Sequence, residues 1–132
     1  MRKLLAIILC FGLAGCATMP TQKEIAKLDY GAPITIDYEK PIKQYFSNVL
    51  FDPYSAVYEF GTPREYWFED IPLAGGTMYA GYLVPVAINA KNRMGGYTGK
   101  ENYGVIFKNN EIIKVITLDR DGQPTESILH SK

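Results

Sequence analysis

The sequence predicts an α+β fold: an antiparallel β-sheet with one main amphipathic helix packed on one face, behind an export signal and a short tether. Three observations predict it. Apolar residues take helical spacing over a long window once, in YEKPIKQYFSNVL. After residue 52 they fall instead into several short stretches rich in Val, Ile, Tyr and Phe. A chain of 132 residues, 47% apolar and with balanced charge, holds one small globular domain.

The first element is the signal. Arg2 and Lys3 precede an apolar run from Leu4 to Leu13, which as a helix would rise only about 15 Å, half a bilayer's hydrocarbon core. A cleaved signal peptide over 1–15 is therefore expected rather than a spanning anchor. Leu13-Ala14-Gly15-Cys16 resembles the lipobox of bacterial lipoproteins. The resemblance implies that Cys16 is acylated, palmitate included, and becomes the first residue of the mature chain. Three acyl chains exceed the two signals that stable anchoring requires. Ala17, where enteric inner-membrane lipoproteins carry aspartate, implies the periplasmic leaflet of the outer membrane. Cys10 leaves with the signal, so the mature chain is expected to have neither a disulfide nor a thiol nucleophile.

Residues 16–33 read as a lipidated tether containing a short helix from about Gln22 to Leu28. Thr21 and Glu24 fit a capping box, and Gly31 and Pro33 stop it. Residues 34–132 form the single periplasmic domain. Its helix, 38–50, places Ile42, Tyr45, Phe46, Val49 and Leu50 at i, i+3, i+4, i+7 and i+8, with Pro41 in the first turn. Asp52-Pro53 then turns the chain.

Strands are expected at SAVYEF, REYWFED, GYLVPVAIN, YGVIFK and EIIKVITL. Pro85 within the third argues for an edge or a bulge. Asn109-Asn110 tolerate positive φ and join the last two as a hairpin. Between the third and fourth lies NAKNRMGGYTG. Gly95, Gly96 and Gly99 give this segment the freedom to reverse, at least one with positive φ, and Asn89 and Asn92 suit side-chain to backbone bonds.

The mature chain carries twelve basic against fourteen acidic residues, which excludes a strongly basic nucleic-acid binder. Charge is unevenly placed: Asp52, Glu59, Glu65, Glu69 and Asp70 face Arg64 alone, whereas 91–114 holds Lys91, Arg93, Lys100, Lys108 and Lys114 against Glu101 and Glu111. The lone histidine, His130, lies near the C-terminus, so neither a hydrolase triad nor a zinc site is expected. Met94 and Glu101 occupy positions where a phosphate-binding loop ending at Lys100 needs glycine and a hydroxyl. Asp119-Arg120-Asp121-Gly122 reads as a turn, its glycine too early for a calcium loop.

The chain resembles small, largely uncharacterised Gram-negative outer-membrane lipoproteins. The resemblance rests on Cys16, on Asp52-Pro53-Tyr54-Ser55-Ala56 after a helix, and on Asn89-Ala90-Lys91-Asn92 with Gly95-Gly96-Tyr97-Thr98-Gly99. It spans Asp29 to Lys108. Arg93-Met94 departs from it, standing where a small polar residue and an aromatic are usual. It implies a location and no activity.

The expected function is therefore that of a membrane-anchored, non-catalytic binding or envelope-assembly module. Lys91, Arg93, Tyr97 and Lys100 are its candidate partner-binding residues, and Asn89, Asn92, Gly95, Gly96 and Gly99 form the structural loop. Expected partners are membrane lipid through acylated Cys16 and an envelope protein; no nucleic acid, metal or cofactor is expected. The alternative is an enzyme acting on cell-wall glycans through carboxylates near 65–70. Clustered tyrosines with Trp67 suit either strands or an interface.

Overall fold

The computed structural model describes residues 20–69 and 78–131, with the backbone alone for 126–131. The signal segment, Cys16 and Asp70 lie outside the described residues. Two helices, α1 (Gln22–Ile25) and α2 (Glu39–Ser47), precede six strands: β1 (Asp52–Phe60), β2 (Arg64–Glu69), β3 (Met78–Lys91), β4 (Glu101–Lys108), β5 (Glu111–Leu118) and β6 (Pro124–Ser131). All pair antiparallel in one sheet of order β1-β3-β4-β5-β6, with β2 also on β3.

This corrects the α+β expectation: the fold is mainly β, with only short helices. α2 has nine residues and α1 four, against strands of six to fourteen. The helix read over 38–50 ends early because Ser47 Oγ and Asn48 Nδ2 both donate to the Gln44 carbonyl, at 2.7 and 3.1 Å, and occupy an acceptor of the last turn. Val49 and Leu50, counted as helical stripe, belong to the turn into β1. β6 follows the Asp119–Gly122 turn and was not foreseen; it pairs residues as late as Ser131, so the C-terminal segment around His130 is strand.

β3 organises the sheet. Its first half pairs β2, its second half pairs β1, and its other edge pairs β4. Pro85 sits in the middle of this central strand, against the expectation of an edge. The reason is local: β1 ends at Phe60 opposite Val86, and β2 starts at Arg64 opposite Leu83. The edge Pro85 would need an N–H to serve is interrupted there, and its carbonyl still accepts from Gly61 N at 2.8 Å.

Alternation along β3 and β4 builds two apolar layers. Val84, Val86, Ile88, Tyr103, Val105 and Phe107 meet Ile42 and Phe46 of α2, while Leu83, Ile106, Ile116 and Leu118 meet Tyr66 and Phe68 on the other face. On that second face Lys114, 6% exposed, lies over the rings of Phe68 and Tyr79 at 4.3 and 5.3 Å. The sheet curls enough for Arg64 to donate to the Gly122 carbonyl at 3.2 Å, although β2 and β5 are three strand spacings apart, about 14 Å on a flat sheet.

The sheet therefore has two distinct ends. At one, Asn109 (φ 52°) and Asn110 (φ 68°) turn β4 into β5 as expected. Their side chains also hold the incoming chain: Asn109 Oδ1 accepts from Ala32 N at 3.0 Å, and Asn110 Oδ1 accepts from Thr35 N at 3.0 Å. Lys108 pairs with the Asp29 carboxylate at 3.2 Å and donates to its carbonyl at 2.8 Å. The other end carries the long β3–β4 loop.

Candidate functional site: the β3–β4 loop tip

The sequence singled out two separate segments, Asp52–Ala56 and Asn89–Gly99, and the fold brings them together. β1 pairs Asp52 with Lys91 but Val57 with Asn89, so β1 bulges by several residues between those pairs. Ser55 stitches the bulge. Its Oγ donates to the Asp52 carbonyl at 2.8 Å and accepts from Lys91 N at 2.9 Å. Its carbonyl accepts from Tyr97 Oη at 3.0 Å, a bond spanning 42 residues of sequence.

The loop is shorter than expected, because β3 runs on through Lys91. Asn92 organises what remains: its Oδ1 accepts from Met94 N at 2.9 Å and Gly96 N at 3.2 Å, and its N–H bonds the Gly96 carbonyl at 2.9 Å. Gly95 (φ 78°) and Gly99 (φ 105°) take the left-handed conformations anticipated for the segment. Asn89 does not join this network. It sits within β3, and its Oδ1 is buried without a hydrogen-bond partner.

Around this hydrogen-bonded framework several large side chains are exposed. Tyr54 is 100%, Met94 94% and Phe51 63% exposed, and Tyr97 is half-exposed. Arg93 lies over the Phe51 ring at 5.6 Å and Lys91 over the Tyr97 ring at 5.6 Å. Neither cation has a carboxylate within ion-pair distance among the described residues. Lys100, the fourth residue expected to bind a partner, pairs with Glu59 on β1 at 2.6 Å.

Of the candidate residues, Lys91 and Tyr97 are brought into contact, and Arg93 lies instead against Phe51. Tyr54 stood in the sequence only as one of the tyrosines that suit strands or an interface, and Phe51 and Met94 carried no signal. In the β-rich stretch around residue 54 an exposed ring looks like core until the β1 bulge turns it out. The cleft beneath the tip, lined by Leu50, Phe51, Ile88, Thr98 and Tyr103 among others, is only about 140 Å³. On its floor the Tyr103 hydroxyl bonds the Glu101 carboxylate, and burial first, then that carboxylate, pushes the phenol well above its usual range.

Other features offer less. Glu65 and Glu69 stand exposed on one face of β2, two pleats apart, about 13 Å along a strand. Both are exposed on the strand surface, whereas a glycosidase sets its two carboxyls facing each other about 5 to 9.5 Å apart. The Asp119 carboxylate accepts from Asp121 N and Gln123 N at 2.9 and 2.8 Å, making the turn expected of it. A larger groove of about 520 Å³ runs between α2 and β5, where burial raises the Tyr45 phenol and its hydroxyl has no partner. Among the described residues no helix is long and apolar enough to cross a membrane, and no cluster of His, Cys, Asp or Glu could hold a metal. No protein-family model matches the chain, and neither a curated protein nor a solved structure matches it.

Proposed function

We propose that the protein is a lipid-anchored envelope lipoprotein, acylated at Cys16 in the periplasmic leaflet of the outer membrane, whose β-domain is a non-catalytic binding module. The tip formed by Phe51, Tyr54, Lys91, Arg93, Met94 and Tyr97 is its binding surface. One observation carries the binding reading: aromatic, methionine and cationic side chains stand exposed on a backbone held by Ser55, which accepts from Lys91 N, and by Asn92, which accepts from Met94 N and Gly96 N. A backbone ordered in advance has less freedom to lose on association, which lowers one cost of binding. The exposure of Glu65 and Glu69 on the surface of β2 argues against the glycan-hydrolysing alternative.

Metabolic labelling with radioactive palmitate tests the anchor. Label is expected in the wild-type chain and absent from Cys16→Ala, and an unlabelled wild-type chain contradicts the anchor. The binding surface is tested by site-specific crosslinking in intact envelopes. Adducts formed from the tip are expected to exceed those formed from the hairpin end, and equal yields contradict the reading.

A further inference from the structure

We propose that the tip docks onto an acidic protein surface, with Phe51, Tyr54 and Met94 entering an apolar depression of the partner and Lys91 and Arg93 meeting its carboxylates. This rests on the binding-module reading above and names the partner's chemistry.

Shape narrows the choice first. The tip projects, and the cleft behind it, about 140 Å³, is smaller than the roughly 300 to 1,000 Å³ of small-molecule pockets. The occupant must supply the concavity. Composition narrows it further: Tyr, Phe, Met and Arg are the residues enriched at the centres of protein–protein interfaces. Sugar rings would use the flat faces of Tyr54 and Tyr97 but give no role to a methionine 94% exposed at the apex.

Charge sets the sign. At this end of the sheet Glu59 already neutralises Lys100, whereas Lys91 and Arg93 rest on aromatic rings. Among the described residues neither head has an ion-pair partner, so an incoming carboxylate meets cations that no salt bridge occupies.

Position argues against the bilayer as the occupant. The chain leading from the anchor is fixed at the opposite end of the sheet, through Asp29, Ala32 and Thr35 on Lys108, Asn109 and Asn110. β4, eight residues long, separates the two ends by about 26 Å. The tether therefore enters at the end of the domain farther from the tip.

The test places a photo-crosslinking amino acid at Met94, or at exposed Glu111 as control, in the full-length lipoprotein within intact cells. The expected result is a protein adduct from position 94 whose crosslinked peptide carries Asp or Glu. Lys91→Glu with Arg93→Glu should reduce it by about tenfold or more, and reversing the partner's carboxylates to lysine should restore it. The melting temperature of the charge-reversed chain reports that it is still folded. An adduct of phospholipid mass, or of wall fragments, overturns the acidic-protein proposal while leaving the tip a binding surface. So does a protein adduct indifferent to charge reversal. Yields at 94 no greater than at 111 overturn both the proposal and the binding-module reading.

Discussion

The two ends of the sheet solve the same problem, reversing the chain between neighbouring strands, and use asparagine amides in opposite directions. At the β4–β5 hairpin, Asn109 and Asn110 take left-handed backbone conformations and turn their side chains outward onto Ala32 and Thr35. At the β3–β4 loop, Asn92 turns its side chain inward, onto Met94 and Gly96 of its own turn. The first end is covered by its own chain. The second spends its amide on its own turn and leaves apolar and cationic side chains uncovered. What separates a structural turn from a candidate interface here is where the amide is directed.

Substitutions can break this contrast, and the largest effect is expected at the hairpin. Asn110→Val forces a β-branched residue into positive φ and removes both bonds to Thr35, at 3.0 Å each, and should cost about 2 to 3 kcal/mol. In a domain this small each kcal/mol moves the melting temperature by roughly 4 to 8 °C, so calorimetry reads it directly. A shift within error would mean that residues 29–35 are not held there.

Ser55→Ala comes next, at about 1 to 2 kcal/mol. It leaves the Lys91 N–H without its acceptor in a part-buried bulge. Hydrogen exchange at the Lys91 amide should accelerate in the variant, and unchanged exchange would refute the stitch. Within the loop, Gly95→Ala should cost about 1 kcal/mol through its positive φ although nothing crowds its Cβ, while Gly96→Ala should stay within about 0.5 kcal/mol. Equal effects would contradict the assigned backbone.

The exposed cations are expected to matter for binding and not for folding. Lys91→Ala and Arg93→Ala should each stay within about 0.5 kcal/mol of wild type in thermal melts. A smaller effect still belongs to pH. The Gly31 N–H, and then Lys108, hold the Asp29 carboxyl below its ordinary 3.8. A depressed pKa means that the contact stabilises the fold above that value and is lost as pH falls through the lower, folded value. The Gly31 amide shift should therefore titrate with a midpoint below 3.8, and a midpoint at or above it would contradict the contact.

Much of this layout was legible in the sequence, in unequal measure. The hairpin was readable from Asn109-Asn110 between two β-rich runs because positive φ is a local demand with a residue signature. β1 to β5 were located for a similar reason, although their ends were not. The balance of helix and sheet was not readable. Periodicity counts Val49 and Leu50 as helix, and only the competing bonds of Ser47 and Asn48 to Gln44 end α2 before them. Pro85 misled because its tolerance depends on a gap in a neighbouring strand. At the tip, Lys91, Arg93 and Tyr97 were found through glycine neighbours and charge. Phe51 and Met94 were not, and Tyr54 was legible only as one of several tyrosines, since its exposure follows from a bulge bonded across 36 residues of sequence. The same long-range placement gives Lys100 to Glu59.

Because Cys10 is expected to leave with the signal and Cys16 to carry lipid, a single cysteine introduced into the domain reports on its site without background. The most direct measurement is maleimide labelling of Met94→Cys and Glu111→Cys, first in intact envelopes and then after solubilisation in detergent and salt. If the loop end is the docking surface and the hairpin end is not, Met94→Cys should be shielded in the envelope and react once released, while Glu111→Cys reacts equally in both. Full reactivity of Met94→Cys in the envelope, or shielding confined to Glu111→Cys, would contradict the account.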